Sequence, residues 1–253
     1  ESQLVRFFVR EFEPLWDEAR AVTAAFLGAK PEDLVFVKNT TMGVNTVIRT
    51  LPLGKGDEVI FHSHIYGACF NTWKHYSEEK GFSIRTVPVP WPLEQEEALI
   101  RSLEDAINPS TRLLFIDHIT SSTGIVYPIE EITRRFKKRG VDVFVDGAHA
   151  PGMLDLRIGD IGCDYYVGNA HKWICSPKGS AILWVHPSKQ EQVRPLQWSH
   201  VYDRSDAWAK QFFWPGTDDY TAALCIPEAI SFMKGLFPGG WEALRYSNRE
   251  LTL

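Results

Sequence analysis

Cysteine is scarce in this chain, with four in 253 residues (Cys69, Cys163, Cys175 and Cys225) and no CxxC pair among them. That spacing excludes a zinc ribbon or a disulfide framework and fits a reducing compartment. No leader-like segment opens the chain, so a cytoplasmic location is the expectation. No apolar run approaches the roughly 18 residues that a membrane helix needs, and no membrane partner is expected. Positive charge is not in excess either, since the formal net charge is −5. Nucleic acid would call for a basic face. The single basic run, RRFKKRG at 134–140, falls on the face of an expected helix and reads as solvated surface. No GxGxxG follows a strand, and Gly54-Lys55-Gly56 lacks the Walker spacing, which argues against a nucleotide cofactor. Internal repeats and low-complexity linkers are also absent.

What is present is apolar and ordered. Apolar residues make up 44% of the chain, enough for the core of one large domain. Short β-rich runs lie at 34–37, 58–61, 83–89, 113–117, 141–146, 164–168 and 181–185. Helical patterns alternate with them: a long amphipathic one over 3–27, then one from Thr41 with Val44, Val47, Ile48 and Leu51 in step. Further helices are expected around 67–80, around Leu99, Ile100, Leu103 and Ile107, and over Ile129, Ile132 and Phe136. Near-continuous apolar strands alternating with helices predict an α/β three-layer sandwich around a mostly parallel sheet.

In such sheets ligands sit beyond the carboxyl ends of the strands, so the polar residues after each strand should converge. These are Asn39-Thr40-Thr41, His62-Ser63-His64, Asp117-His118, Asp146 with His149, and Asn169-Ala170-His171-Lys172. Thr40 and Thr41 stand at a strand-to-helix junction, where backbone N–H groups and hydroxyls either hold an anion or simply cap the helix. Asp146 suits a metal ligand, a helix cap or the partner of a protonated ring nitrogen. Lys172 is an amine at the inner end of a strand, where desolvation lowers its affinity for a proton. A ring-nitrogen carboxylate and a Schiff-base lysine are the two protein groups that pyridoxal phosphate demands. A second reading gathers Asp117, His118, Asp146 and His149, with His62 and His64, around a divalent ion as a metal-dependent hydrolase. It leaves Lys172 and the Asn-Thr-Thr site without a role.

The segments DGAHAPG (146–152), GNAHKW (168–173), NTTMGVN (39–45) and WPGTDD (214–219) together resemble the class V aminotransferase family of fold type I pyridoxal-phosphate enzymes. The likeness is strongest to the branch of isopenicillin N epimerase-like proteins and hercynylcysteine sulfoxide lyases, with cysteine desulfurases more distant. It implies that Lys172 forms the Schiff base and later shuttles the α-proton, and that Asp146 pairs with the pyridine nitrogen. His149 would lie near the phenolic oxygen, and Ser121 beside the cofactor. Thr40, Thr41, Asn169 and His171 would contact the phosphate, although the family often has Ser where Asn169 stands. Tyr66 would stack over the ring and serve as an acid for the leaving group, with His64 second. Thr217 would reach the phosphate of a neighbouring subunit, implying a homodimer. The implied substrate is a small amino acid and the implied reaction C–S lysis of a cysteine conjugate or sulfoxide. Epimerisation, desulfuration and a non-catalytic cofactor-binding module remain as alternatives. Residues 1–240 would form the large cofactor-binding domain and 241–253 the start of a linker helix. An N-terminal pocket segment and a small domain with an arginine clamp for the substrate carboxylate are expected outside the chain. Cys175, too close to Lys172 to act as a mobile loop nucleophile, is expected in the core.

Overall fold

Side-chain alternation along each strand decides which side of the sheet a residue feeds. In β4 (Thr111–Asp117), Leu114 and Ile116 join one apolar cluster while Leu113 and Phe115 join the opposite one. The same period of two sends Val143 and Val145 of β5 (Asp142–Asp146) one way and Phe144 the other. Both faces are therefore covered, and the strands read as unbroken apolar runs. The computed structural model describes residues 3–90, 92–93, 95–200 and 207–251.

β4 and β5 belong to a seven-stranded sheet with β1 (Leu34–Val37), β2 (Glu58–His62), β3 (Ser83–Val87), β6 (Tyr165–Asn169) and β7 (Ala181–Val185). Its order is β1-β7-β6-β5-β4-β2-β3. β7 runs antiparallel to both β6 and β1, and the remaining pairings are parallel. Because β7 is reversed between two strands that agree, the carboxyl ends of β1, β2, β4, β5 and β6 all open on one edge. The expected three-layer α/β sandwich is the fold. Helices Thr40–Thr50 and Gly67–Lys80 cover one face. Helices Phe12–Phe26, Glu96–Asp105, Ile129–Lys138, Ile226–Gly235 and Gly240–Glu250 cover the other.

The N-terminal helix is not continuous, as its pattern suggested. Leu4–Arg6 leads into a π-helical turn, Phe7–Glu11, and the regular helix begins at Phe12. Pro14 has no N–H for the Arg10 carbonyl and its ring crowds that position, so the turn before it widens. The basic run at 134–140 is also less idle than a solvated face. Lys137 Nζ reaches Asp164 Oδ1 at 2.6 Å, and Asp164 Oδ2 accepts the Val143 N–H at 2.8 Å, which ties helix Ile129–Lys138 to the start of β5. Helix Gly240–Glu250 packs back on the domain, with the Trp241 ring 4.9 Å from that of Phe26.

Helix Thr40–Thr50 packs closely on the sheet where Gly43 meets Val167 of β6. A Cβ at Gly43 would lie 2.6 Å from Val167 Cγ1. Gly43→Ala gains up to about 1 kcal/mol of helix propensity, but overpacking against a stiff β-branched neighbour costs about 1–3 kcal/mol. The expected outcome is a net loss of about 1 kcal/mol in urea unfolding, together with weaker anion binding at the helix start.

Candidate active site

The strand ends enclose a cavity of about 270 Å3. Thr40, Thr41, Tyr66, Ser121, Asp146, His149, Asn169, His171 and Lys172 line it, together with Asn39, Asp117, Ile119 and Ala148. Thr217 does not join them; it lies in a separate depression with Leu4, Phe7 and Phe8.

One end of the cavity is the start of helix Thr40–Thr50. Asn39 caps it, accepting the Met42 N–H at 2.8 Å. Asn169, at the end of β6, accepts the Thr40 N–H at 3.0 Å and donates through Nδ2 to Thr40 Oγ1 at 3.3 Å. The cap reading and the anion reading therefore coexist. Asn39 does the capping, while Thr40 and Thr41 line the cavity at the positive end of the helix. His171 is fixed through Nδ1–H to the Ser180 carbonyl at 2.8 Å. Burial, with Lys172 nearby, lowers its affinity for a proton.

Asp146 is buried at the end of β5. Its Oδ1 accepts the Ala148 N–H at 2.9 Å and its Oδ2 the Cys69 thiol at 3.3 Å. Burial pushes its pKa up to about 7, and neighbouring Asp117 adds to the rise. A carboxyl held this way gains from any cationic N–H brought to it. The segment after it, Gly147-Ala148-His149, runs tight over β6, because any side chain at Gly147 would run into the Tyr166 ring. Tyr166 is held there by its hydroxyl contact with His118 Nδ1 at 2.9 Å.

Lys172 Nζ lies 2.9 Å from His149 Nε2, and the indole N–H of Trp173 points at His149 Nδ1 from 3.3 Å. An indole N–H can only donate, so Nδ1 accepts and the neutral ring carries its proton on Nε2. Lys172 must then accept, which it does only as a free amine. Burial lowers the lysine's pKa and holds that of His149 down to about 4. Two independent features thus favour a nucleophilic amine at 172.

Tyr66 precedes helix Gly67–Lys80 and is 46% exposed at the cavity mouth. His64, the second choice for that position, is 3.1 Å from Thr123 Oγ1. The metal reading loses its geometry. His62 accepts the Asp117 N–H and His118 meets Tyr166, and no group of three or more His, Cys, Asp or Glu among the described residues is arranged to hold a metal ion. Cys175 is a correction: it is exposed, in a turn where its φ is 60°, rather than in the core. The chain doubles back after Lys172 and puts that residue at the outer edge. Asp117 was read as one of the converging strand-end groups, without a role toward the cofactor. Cys69 and Trp173 were not read from the sequence as parts of this site, and the signal for Trp173 is its place beside the lysine.

The donor set fits the three ends of pyridoxal phosphate. The helix start and its hydroxyls suit the phosphate, Asp146 the ring nitrogen, and Lys172 the aldehyde carbon. Trp173→Phe frees the His149 tautomer and lets Lys172 keep its proton. Losing one such hydrogen bond, about 0.5–1.5 kcal/mol, should slow capture of pyridoxal phosphate at pH 7 by about 2- to 10-fold. The rate profile should move to higher pH, read by stopped-flow absorbance.

A model of the aminotransferase class-V family matches residues 5–235. Isopenicillin N epimerase of Streptomyces clavuligerus is 33% identical over 97% of this chain and 65% of its own length. A probable chloroplastic L-cysteine desulfhydrase of Arabidopsis thaliana is 30% identical over 97% of this chain and 55% of its own. The chain thus spans about two thirds or less of these relatives. A solved structure of a C-DES mutant with glycine covalently linked to its pyridoxal phosphate cofactor superimposes with a TM-score of 0.80 at 23% identity, over 88% of this chain and 61% of that one. With the family model matching most of its length and relatives of this identity, the chain belongs to the class V aminotransferase family.

Proposed function

We propose that this chain is the cofactor-binding part of a pyridoxal-phosphate enzyme that cleaves a C–S bond in a cysteine conjugate or sulfoxide. The observation that carries this reading is Lys172, whose amine meets His149 at 2.9 Å in the cavity that the buried carboxyl Asp146 also lines. When bound, pyridoxal phosphate supplies an electron sink for negative charge at the α-carbon of an amino acid.

The chain's own groups divide the remaining work. Lys172 would hold the aldehyde carbon and would act as the base for the α-proton. Burial lowers its pKa, which favours the free base. Asp146, as a carboxylate, keeps a proton on the ring nitrogen. Thr40, Thr41, Asn169 and His171 anchor the phosphate; His171 donates from Nε2 only when its ring is protonated, because Nδ1–H is committed to Ser180. His149 would lie near the phenolic oxygen of the ring, and Ser121 beside the cofactor. Tyr66, which lines the cavity and is partly exposed, would give a proton to the departing sulfur. The L-cysteine desulfhydrase relatives support lyase chemistry, and the epimerase relatives support removal of the same α-proton with its return to the other face.

Thr217 serves, on this reading, the site of a second subunit in a homodimer. Its separation from the cavity of its own chain supports that role. The free cysteines support a cytoplasmic setting.

Two measurements test the reading. Hydride reduction of the cofactor-loaded protein, followed by peptide mass spectrometry, should place a pyridoxyl group on Lys172 and none in Lys172→Ala. Incubation with a panel of cysteine conjugates and sulfoxides should yield pyruvate and a released sulfur species. An adduct without pyruvate would reduce the chain to a binding module, and no adduct at Lys172 would end the proposal altogether. Asp146→Asn removes one charge-assisted hydrogen bond, about 1.5–3 kcal/mol, so cofactor affinity should fall about 10- to 100-fold. Parent affinity should rise with pH through about 7 as Asp146 ionises, and the variant should lack that rise.

A further inference from the structure

The roles assigned so far leave His62 and Asp117 without a task, although both are buried and Asp117 lines the cofactor cavity. His62 ends β2, and Asp117 ends β4 directly beside Asp146 in the β4–β5 register. The Asp117 N–H donates to His62 Nε2 at 3.2 Å, which marks Nε2 as the bare nitrogen of a neutral ring. The ring proton then sits on Nδ1, toward the Tyr127 hydroxyl at 3.3 Å. Asp117 Oδ1 lies 3.2 Å from the same Nε2 and finds no donor among the described residues. An anionic oxygen against a bare ring nitrogen is repulsive. A proton on the carboxyl turns the contact into an O–H···N bond that shares the Nε2 lone pair with the backbone N–H, and gives the orphaned oxygen a partner.

We propose that Asp117 is a positioning residue held as a neutral carboxylic acid against His62, so that Asp146 alone supplies the negative charge facing the cofactor ring. The charge argument is electrostatic. The groups facing Asp117 are His62 from β2, Asp146 from β5, Cys69 from helix Gly67–Lys80, Lys172 after β6 and Tyr127 in the loop after β4. A second anion here would repel an ionised Asp146 and would favour the ammonium form of Lys172, opposing its use as a nucleophile. Burial independently pushes Asp117 well above the usual carboxylate range and His62 down to about 3.

The charge role rests on the cofactor reading above, but the location of the proton does not, and the test separates them. At about pH 8, above the titration of Asp146, infrared difference spectra of the cofactor-free protein should show a protonated-carboxyl band that Asp117→Asn lacks. A parent without the band, or a variant that retains it, overturns the proposal. Unfolding against pH provides a second readout. Between the unfolded values of 3.8 and 6.5 the unfolded pair binds one proton, on His62. The folded pair also binds one, on Asp117, so it adds no slope to the parent. Asp117→Asn removes the folded-state proton, so relative to the parent its unfolding constant should fall about tenfold per pH unit as pH rises through that window. Parallel curves for variant and parent mean that the folded pair holds no proton and reject the idea. With cofactor present, Asp117→Asn should bind pyridoxal phosphate within about threefold of the parent. A loss of about 10- to 100-fold would make Asp117 a required anion instead and overturn the neutral role.

Discussion

A carboxyl group taken out of water at the end of β5 sets the terms for everything around it. Asp146 is enclosed by β4, β6 and helix Gly67–Lys80, and burial raises its pKa toward neutrality. Such a group is stable only if it is protonated or faced by donors. The protein offers it a backbone N–H, a thiol and, through Lys172, a nearby amine. None of these is a full counter-charge. The site is therefore incomplete electrostatically, and a protonated ring nitrogen would complete it.

Holding that carboxyl, an amine and an anion-binding helix start around one small ligand requires close backbone approach. Two glycines permit it. Gly43 lets helix Thr40–Thr50 settle on β6 at Val167, and Gly147 lets the chain after β5 pass over the Tyr166 ring. The Asn169–Thr40 pair then fastens β6 to the helix start. A bulkier residue at either glycine would push the phosphate end and the ring end of the site apart.

Neutrality is arranged as carefully as charge. Trp173 fixes the tautomer of His149, and His149 in turn asks Lys172 to be a free base. On the other side of Asp146, His62 uses its bare nitrogen on the Asp117 backbone. In both places a donor with no choice of role dictates the protonation of a ring, and the ring dictates that of its neighbour.

The layer architecture was legible in the sequence because strand and helix periods differ, and unbroken runs such as LVFV and AILWV announce strands covered on both faces. Most of the site was legible as well, since Thr40, Asp146, His149 and Lys172 all follow a strand and the sheet carries strand ends to one edge. Periodicity could not show the π turn before Pro14 or the exposed turn at Cys175, because both depend on local backbone geometry rather than on apolar spacing. Nor could it show that Cys69 donates to Asp146 across 77 positions, or that His62 and Asp117 share a boundary between strands. Sequence alone determined which chemical groups stand at the strand ends. Tertiary structure decided their protonation, because a proton's place depends on which atoms face it once water is excluded.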